Sequence, residues 1–87
     1  MATKILDALN TTQVSGEFTL TEQKAVWISS PGALHPEACI VIEAKNANGS
    51  WSVVETLHYN RRSGVLAAGV YRATRLAGNA VAGLEQA

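Results

Sequence analysis

A chain of 87 residues with 47% apolar and 16% charged side chains has room for one domain, burying roughly 60–65% of its unfolded surface. Seven basic and seven acidic residues cancel, which excludes a sequence-independent nucleic-acid binder, since such a protein needs an excess of Lys and Arg. Cys39 is the only cysteine, so an internal disulfide is excluded; no apolar run approaches the roughly 18 residues of a membrane span, and the start has no apolar core of a secretion signal.

In chain order, residues 1–15 read as an N-terminal arm. Ile5, Leu6 and Leu9 are apolar, and Asn10-Thr11-Thr12-Gln13 is polar and flexible. The segment is too short for a stable lone helix, and its three aliphatics call for docking, across its own domain or on a neighbour. From residue 16 to 87 the pattern is β. Glu17 to Thr21 alternates, with Phe18 and Leu20 on one face, and Lys24 to Ser30 alternates with Val26 and Ile28 opposite Ala25 and Trp27. Pro31-Gly32 marks a turn, and Ala33 to Pro36 extends it.

Cys39 to Lys45 is an apolar strand suited to burial on both faces. Asn46-Ala47-Asn48-Gly49-Ser50 follows, then a strand from Trp51 to Tyr59. Two β-prone runs around a cluster of Asn and Gly predict a hairpin. Strict alternation places Trp51, Val53 and Leu57 on one face of that strand, interrupted by Glu55. Asn60 to Gly64 reads as a polar reversal, Val65-Leu66 as a short strand, and Val70 to Leu76 as another. Gly78-Asn79 reads as a turn before a last strand from Ala80 to Gln86. About six or seven short strands with a turn every 8–12 residues predict an all-β fold. The expected form is a small antiparallel β-sandwich or jelly-roll-like barrel with an extended N-terminal arm.

The charges are unevenly placed. Asp7, Glu17, Glu22, Glu37, Glu43 and Glu55 all precede Arg61, whereas Arg61, Arg62, Arg72 and Arg75 crowd the last third. Such a division suits attraction between copies or to a charged partner, or two ordinary solvated surfaces. Arg72 and Arg75, at odd spacing on one strand, face opposite ways.

No residue set carries recognisable chemistry. His35, Cys39 and His58 are the only imidazole or thiol ligands, fewer than the four of a structural zinc site, so no metal or cofactor is expected. Cys39 lies within an apolar strand, which suppresses thiolate formation, and no nucleophile elbow accompanies it; no enzymatic activity is expected. Trp27, Trp51, Tyr59 and Tyr71 could stack on sugars, although strand aromatics usually serve the core.

The run Asn48-Gly49-Ser50-Trp51 with Val53-Val54-Glu55-Thr56-Leu57, then Ala68-Gly69-Val70-Tyr71-Arg72-Ala73, and the ending Ala80-Val81-Ala82-Gly83-Leu84-Glu85 resemble small β-sandwich virion proteins of tailed bacteriophages. Within that class the capsid decoration (cement) proteins are the nearest in kind. The resemblance implies a non-enzymatic structural protein of the virion, assembled in the host cytoplasm. It would bind the outer surface of the head, bridge neighbouring subunits of the major capsid protein, and associate with itself, a trimer being one arrangement, without nucleic acid or membrane. The contact surface is expected on the arm at Ile5, Leu6 and Leu9, and on the loops carrying Leu34, His35, Arg61 and Arg62. The alternatives are a glycan-binding module of a tail or fibre, and a neck or tail connector subunit.

Overall fold

The computed structural model describes residues 2–76 and 81–87. The chain is all-β, as the turn spacing predicts. The described residues form nine strands: β1 (Thr3–Leu9), β2 (Gln13–Val14), β3 (Phe18–Leu20), β4 (Lys24–Ser29), β5 (Cys39–Lys45), β6 (Trp51–His58), β7 (Ser63–Leu66), β8 (Gly69–Arg75) and β9 (Ala82–Gln86). Seven match the expected strands, and β1 and β2 arise from residues 1–15. The turn expected at Gly78-Asn79, and the strand start at Ala80, lie outside the described residues.

The strands make two antiparallel sheets. One has the order β1-β9-β4-β7; the other has β2-β8-β5-β6, with β3 also pairing β8. The N-terminal segment therefore docks on its own domain: Thr3 lies opposite Gln86, Leu6 opposite Leu84, and Gln13 opposite Arg75. It does so because Leu6 completes the core, at 2% exposure.

The inward residues follow period-2 alternation. Val26, Ile28 and Leu84 from the four-stranded sheet meet Ile40, Ile42, Leu57 and Tyr71 from the five-stranded one. Burying each such aliphatic contributes about 1.5–3 kcal/mol. Cys39 and Val41 are only half-buried, so β5 is covered fully on one face and partly on the other, less than its apolar run suggested.

The β5–β6 hairpin forms where Asn and Gly predict it. The Gly49 amide donates to the Asn46 carbonyl at 2.9 Å, and the Asn46 amide to the Ser50 carbonyl at 2.7 Å. Gly49 has φ of 88°, a left-handed conformation that glycine adopts without a Cβ penalty. Farther along the hairpin, strict alternation fails. Ile42 lies opposite Glu55 but Glu43 lies opposite Val53, so Val54 is an extra residue, a β-bulge. The bulge reverses parity within β6. Trp51 and Val53 share the outer face with Lys45 and Glu43, whereas Glu55 and Leu57 turn inward with Ile42 and Ile40. The single face expected for Trp51, Val53 and Leu57 is thus corrected.

Alternation along β8 gives Tyr71, Ala73 and Arg75 inward, and Arg75 is 1% exposed. Among the described residues its guanidinium reaches no carboxylate. Its Nε donates to the Thr11 carbonyl at 2.7 Å, and its Nη1 to the carbonyls of Ala82, at 3.0 Å, and Asp7. Its Nη2 donates to Gln13 Oε1 at 2.8 Å and lies 3.4 Å from Thr11 Oγ1. One side chain thereby ties β1, the β1–β2 connection, β2 and β9 together. A buried charge is tolerated only when hydrogen-bonded in this way.

Candidate functional site

Side chains opposite one another in neighbouring strands share a face. On the outer face of the five-stranded sheet, Val14, Thr74, Val41 and Thr56 form one row across β2, β8, β5 and β6. Arg72, Glu43 and Val53 form the next. Val70 and Thr19, with Lys45 and Trp51, lie toward the hairpin turn. At the other end His58 lies opposite Cys39, and the Leu76 amide donates to the Cys39 carbonyl at 3.2 Å. The result is a sheet face on which Val and Thr, β-branched residues that suit a pleated surface, are the commonest side chains. Val53, Val14 and Leu76 are 61%, 53% and 49% exposed. From strand spacing and rise, the face measures about 20 Å by 20 Å, roughly 400 Å².

Its charges are spent internally. Arg72 Nε donates to Glu43 Oε1 at 2.9 Å, and its guanidinium lies 4.3 Å from the Trp51 ring centroid. Lys45 pairs with Glu17 at 3.2 Å. Across the described residues five ion pairs take ten of the fourteen charged side chains. The early acids and late arginines of the sequence meet within the fold, as Glu43 with Arg72 and Glu55 with Arg61. The uneven distribution along the chain therefore does not become two surfaces of opposite sign.

Glu55 and Arg61 close the side of the sandwich. Arg61 Nε and Nη2 donate to the two carboxylate oxygens at 2.8 and 3.0 Å. Glu55 Oε1 also accepts the Thr56 amide at 3.2 Å. The Arg61 hydrogen bond and charge hold the Glu55 carboxyl below its ordinary range, against the opposing effect of burial.

The opposite outer face, on the four-stranded sheet, carries Lys4 and Glu85 as its charges. Lys4, Glu85, Trp27 and Ser63 make one row. A shallow groove of about 280 Å³ lies there, lined by Lys4, Leu6, Ala8, Ser29, Ser30, Pro31 and Glu85. The close packing of β9 between β1 and β4 requires Gly83, where a Cβ would come 2.7 Å from the Leu6 carbonyl oxygen and from Ser29 Oγ.

The residues expected at a partner surface occupy three separate elements. Leu6, at 2% exposed, is a core residue of β1, and Ile5 packs against the core; Leu9, at the end of β1, is 49% exposed. In the β4–β5 loop Leu34 is buried at 8%, while His35 is exposed, its Nδ1 accepting the Glu37 amide at 3.1 Å. Leu6 and Leu34 are thus corrected to core positions, since each fills the space between the sheets. Arg61 and Arg62 are exposed in the β6–β7 turn; Arg61 holds Glu55, and Arg62 lies 4.7 Å from the Tyr59 ring centroid. The outer-face residues Val14, Val41, Val53 and Thr74 escaped the sequence reading. In β8 the alternation of Val70, Arg72 and Thr74 is a signal for the face; Val14, Val41 and Val53 stand singly on their strands and carry none.

Of the aromatics considered for sugar stacking, Tyr71 is internal, with its hydroxyl donating to the Ala67 carbonyl at 2.7 Å, and one face of Trp51 carries Arg72. Among the described residues no three His, Cys, Asp or Glu side chains converge as a metal site. No family model, curated protein or solved structure matches the chain.

Proposed function

We propose that this protein is a non-enzymatic structural component of a phage virion, a capsid decoration protein that adheres to the outer surface of the head. The contact runs through the outer face of the five-stranded sheet, and the partner is the major capsid protein. The observation that carries the reading is that face: a broad surface of β-branched side chains with Val14 and Val53 more than half exposed and its central ion pair already closed. Such a surface binds by apolar burial and shape, which salt screens little.

Its size sets the mode of action. Roughly 400 Å² is about half of what each partner contributes to a standard stable interface. One copy therefore binds weakly, and repetition over a shell, with self-association, supplies the avidity. Val14→Glu and Val53→Glu place a charge at either side of the face without touching the core. Mixed with undecorated heads, the wild-type chain should co-sediment in amounts that change little between about 0.05 and 0.5 M salt. Both variants should fail to co-sediment; full coating by both would overturn the reading.

A further inference from the structure

We infer that the Trp51–Val54 half of β6 is a self-recognition edge that pairs antiparallel with the same segment of a second copy. The inference deepens the self-association proposed above and rests on it. Edge strands present unpaired amides and carbonyls, and folded proteins normally blunt them. The other edges are blunted. β1 carries Lys4 and Asp7 and two register irregularities, β7 has only four residues, and β2 and β3 are short pieces interrupted at residues 15–17.

β6 is blunted over only half its length. At one end the His58 amide donates to the Arg61 carbonyl at 2.9 Å, and the Arg61 amide returns the bond at 3.0 Å. The Thr56 amide is covered by the Glu55 carboxylate. Residues 56 and 58 thus turn their backbone groups outward, and both amides are satisfied. At the other end the Ser50 carbonyl faces β5 through Asn46, so alternation turns the groups of Trp51 and Val53 outward. β6 pairs only β5 among the described strands, and Trp51 to Val54 contains no charge and no proline.

The second copy fits this edge by its own symmetry. A two-fold axis at Ser52 sets Trp51 of each chain opposite Val53 of the other, so both pairs exchange amide–carbonyl bonds, four in all. The same register sets Trp51 and Val53 at directly opposed positions on the outer face, an aromatic–β-branched pairing that sheets favour. The bulge at Val54 ends the pairing and fixes its register. The two outer faces then join into one.

Analytical ultracentrifugation of the full chain tests this. Wild type should approach twice the chain mass as its concentration rises toward about 1 mM, a weak self-association. Val53→Pro removes an outward amide that β5 does not use and should weaken association by about tenfold or more. Ser52→Lys and Ser52→Glu set like charges opposite each other at the axis, so each alone should be monomeric and an equimolar mixture should associate. The charge pair keeps the test decisive if the proline variant does not fold. A wild-type chain that stays monomeric, or lysine and glutamate variants that associate alone as well as mixed, would overturn the inference. Because no heads are involved, failure here is distinct from failure of the coating assay.

Discussion

Arg72 and Arg75 stand three residues apart on one strand, and the strand's alternation sends them into opposite surroundings. Arg72 faces outward, paired with Glu43 and lying over Trp51. Arg75 faces inward, 1% exposed, and its charge is met by backbone carbonyls and the Gln13 amide oxygen. The difference teaches where this fold spends its polar groups: inside, a cation organises the chain that crosses between the sheets; outside, charge is cancelled so that the face stays apolar. The largest break in that contrast is Arg75→Ala. It leaves the acceptors at Asp7, Thr11, Gln13 and Ala82 without a donor and opens a cavity, which should cost about 3–5 kcal/mol. Arg75→Met, of similar length, should recover only part of this, because it restores volume and no donor. Urea denaturation read as a shift in midpoint at constant slope checks both.

Glu55 lies between the two extremes. Its side chain is 14% exposed, whereas its partner Arg61 is 57% exposed. The exposed partner discounts the pair, so Glu55→Gln should cost about 1 kcal/mol at neutral pH. The folded carboxyl is held below its ordinary value of 4.5. The folded state therefore gains stability from Glu55 above that value, and loses it as pH falls through the lowered folded value. Stability measured from pH 7 downward should decline less steeply for Glu55→Gln than for wild type below about 4.5. Parallel acid limbs would show that other carboxylates carry the effect.

The parts of the fold that local chemistry decides were legible in the sequence. The Asn46–Ser50 turn follows from Asn and Gly, and the burial of Val26 and Ile28 follows from alternation. The bulge at Val54 was not legible, because nothing in Trp51-Ser52-Val53-Val54-Glu55 separates an extra residue from a regular strand. The pairing of β5 with β6 around Glu55 decides it. Arg75 was assigned a face but not its burial, since its partners lie more than sixty residues away at Asp7, Thr11 and Gln13. The pairing of Glu43 with Arg72 is likewise nonlocal, which is why the separated charges of the sequence looked like a surface property. The candidate face was the least legible element, being assembled from alternate residues of five strands that only the sheet pairing brings together.

Arg72→Ala tests the outer half of the contrast. The pair is partly exposed, so stability should fall by about 1 kcal/mol or less. The larger readout is optical: without the guanidinium over its ring, Trp51 should become more accessible to acrylamide quenching. The unpaired Glu43 would then charge the face, and adhesion to heads should weaken more than folding does. Unchanged adhesion would mean that neutrality at the centre of the face is not what partner contact requires.

The smallest stability effect belongs to the variants with the largest expected effect on function. Val14→Glu and Val53→Glu alter side chains that are 53% and 61% exposed, so each should shift stability by no more than about 0.5 kcal/mol. Adhesion depends on the area both copies present. Edge pairing at Ser52 joins two faces of roughly 400 Å², giving the roughly 800 Å² per partner of a standard interface. Ser52→Lys should therefore weaken coating by halving the continuous face while leaving each single face intact. Its equimolar mixture with Ser52→Glu should restore coating, whereas no mixture should rescue Val14→Glu. Restored pairing without restored coating would separate the two surfaces, leaving the edge as a dimer contact and removing the joined face as the site of adhesion.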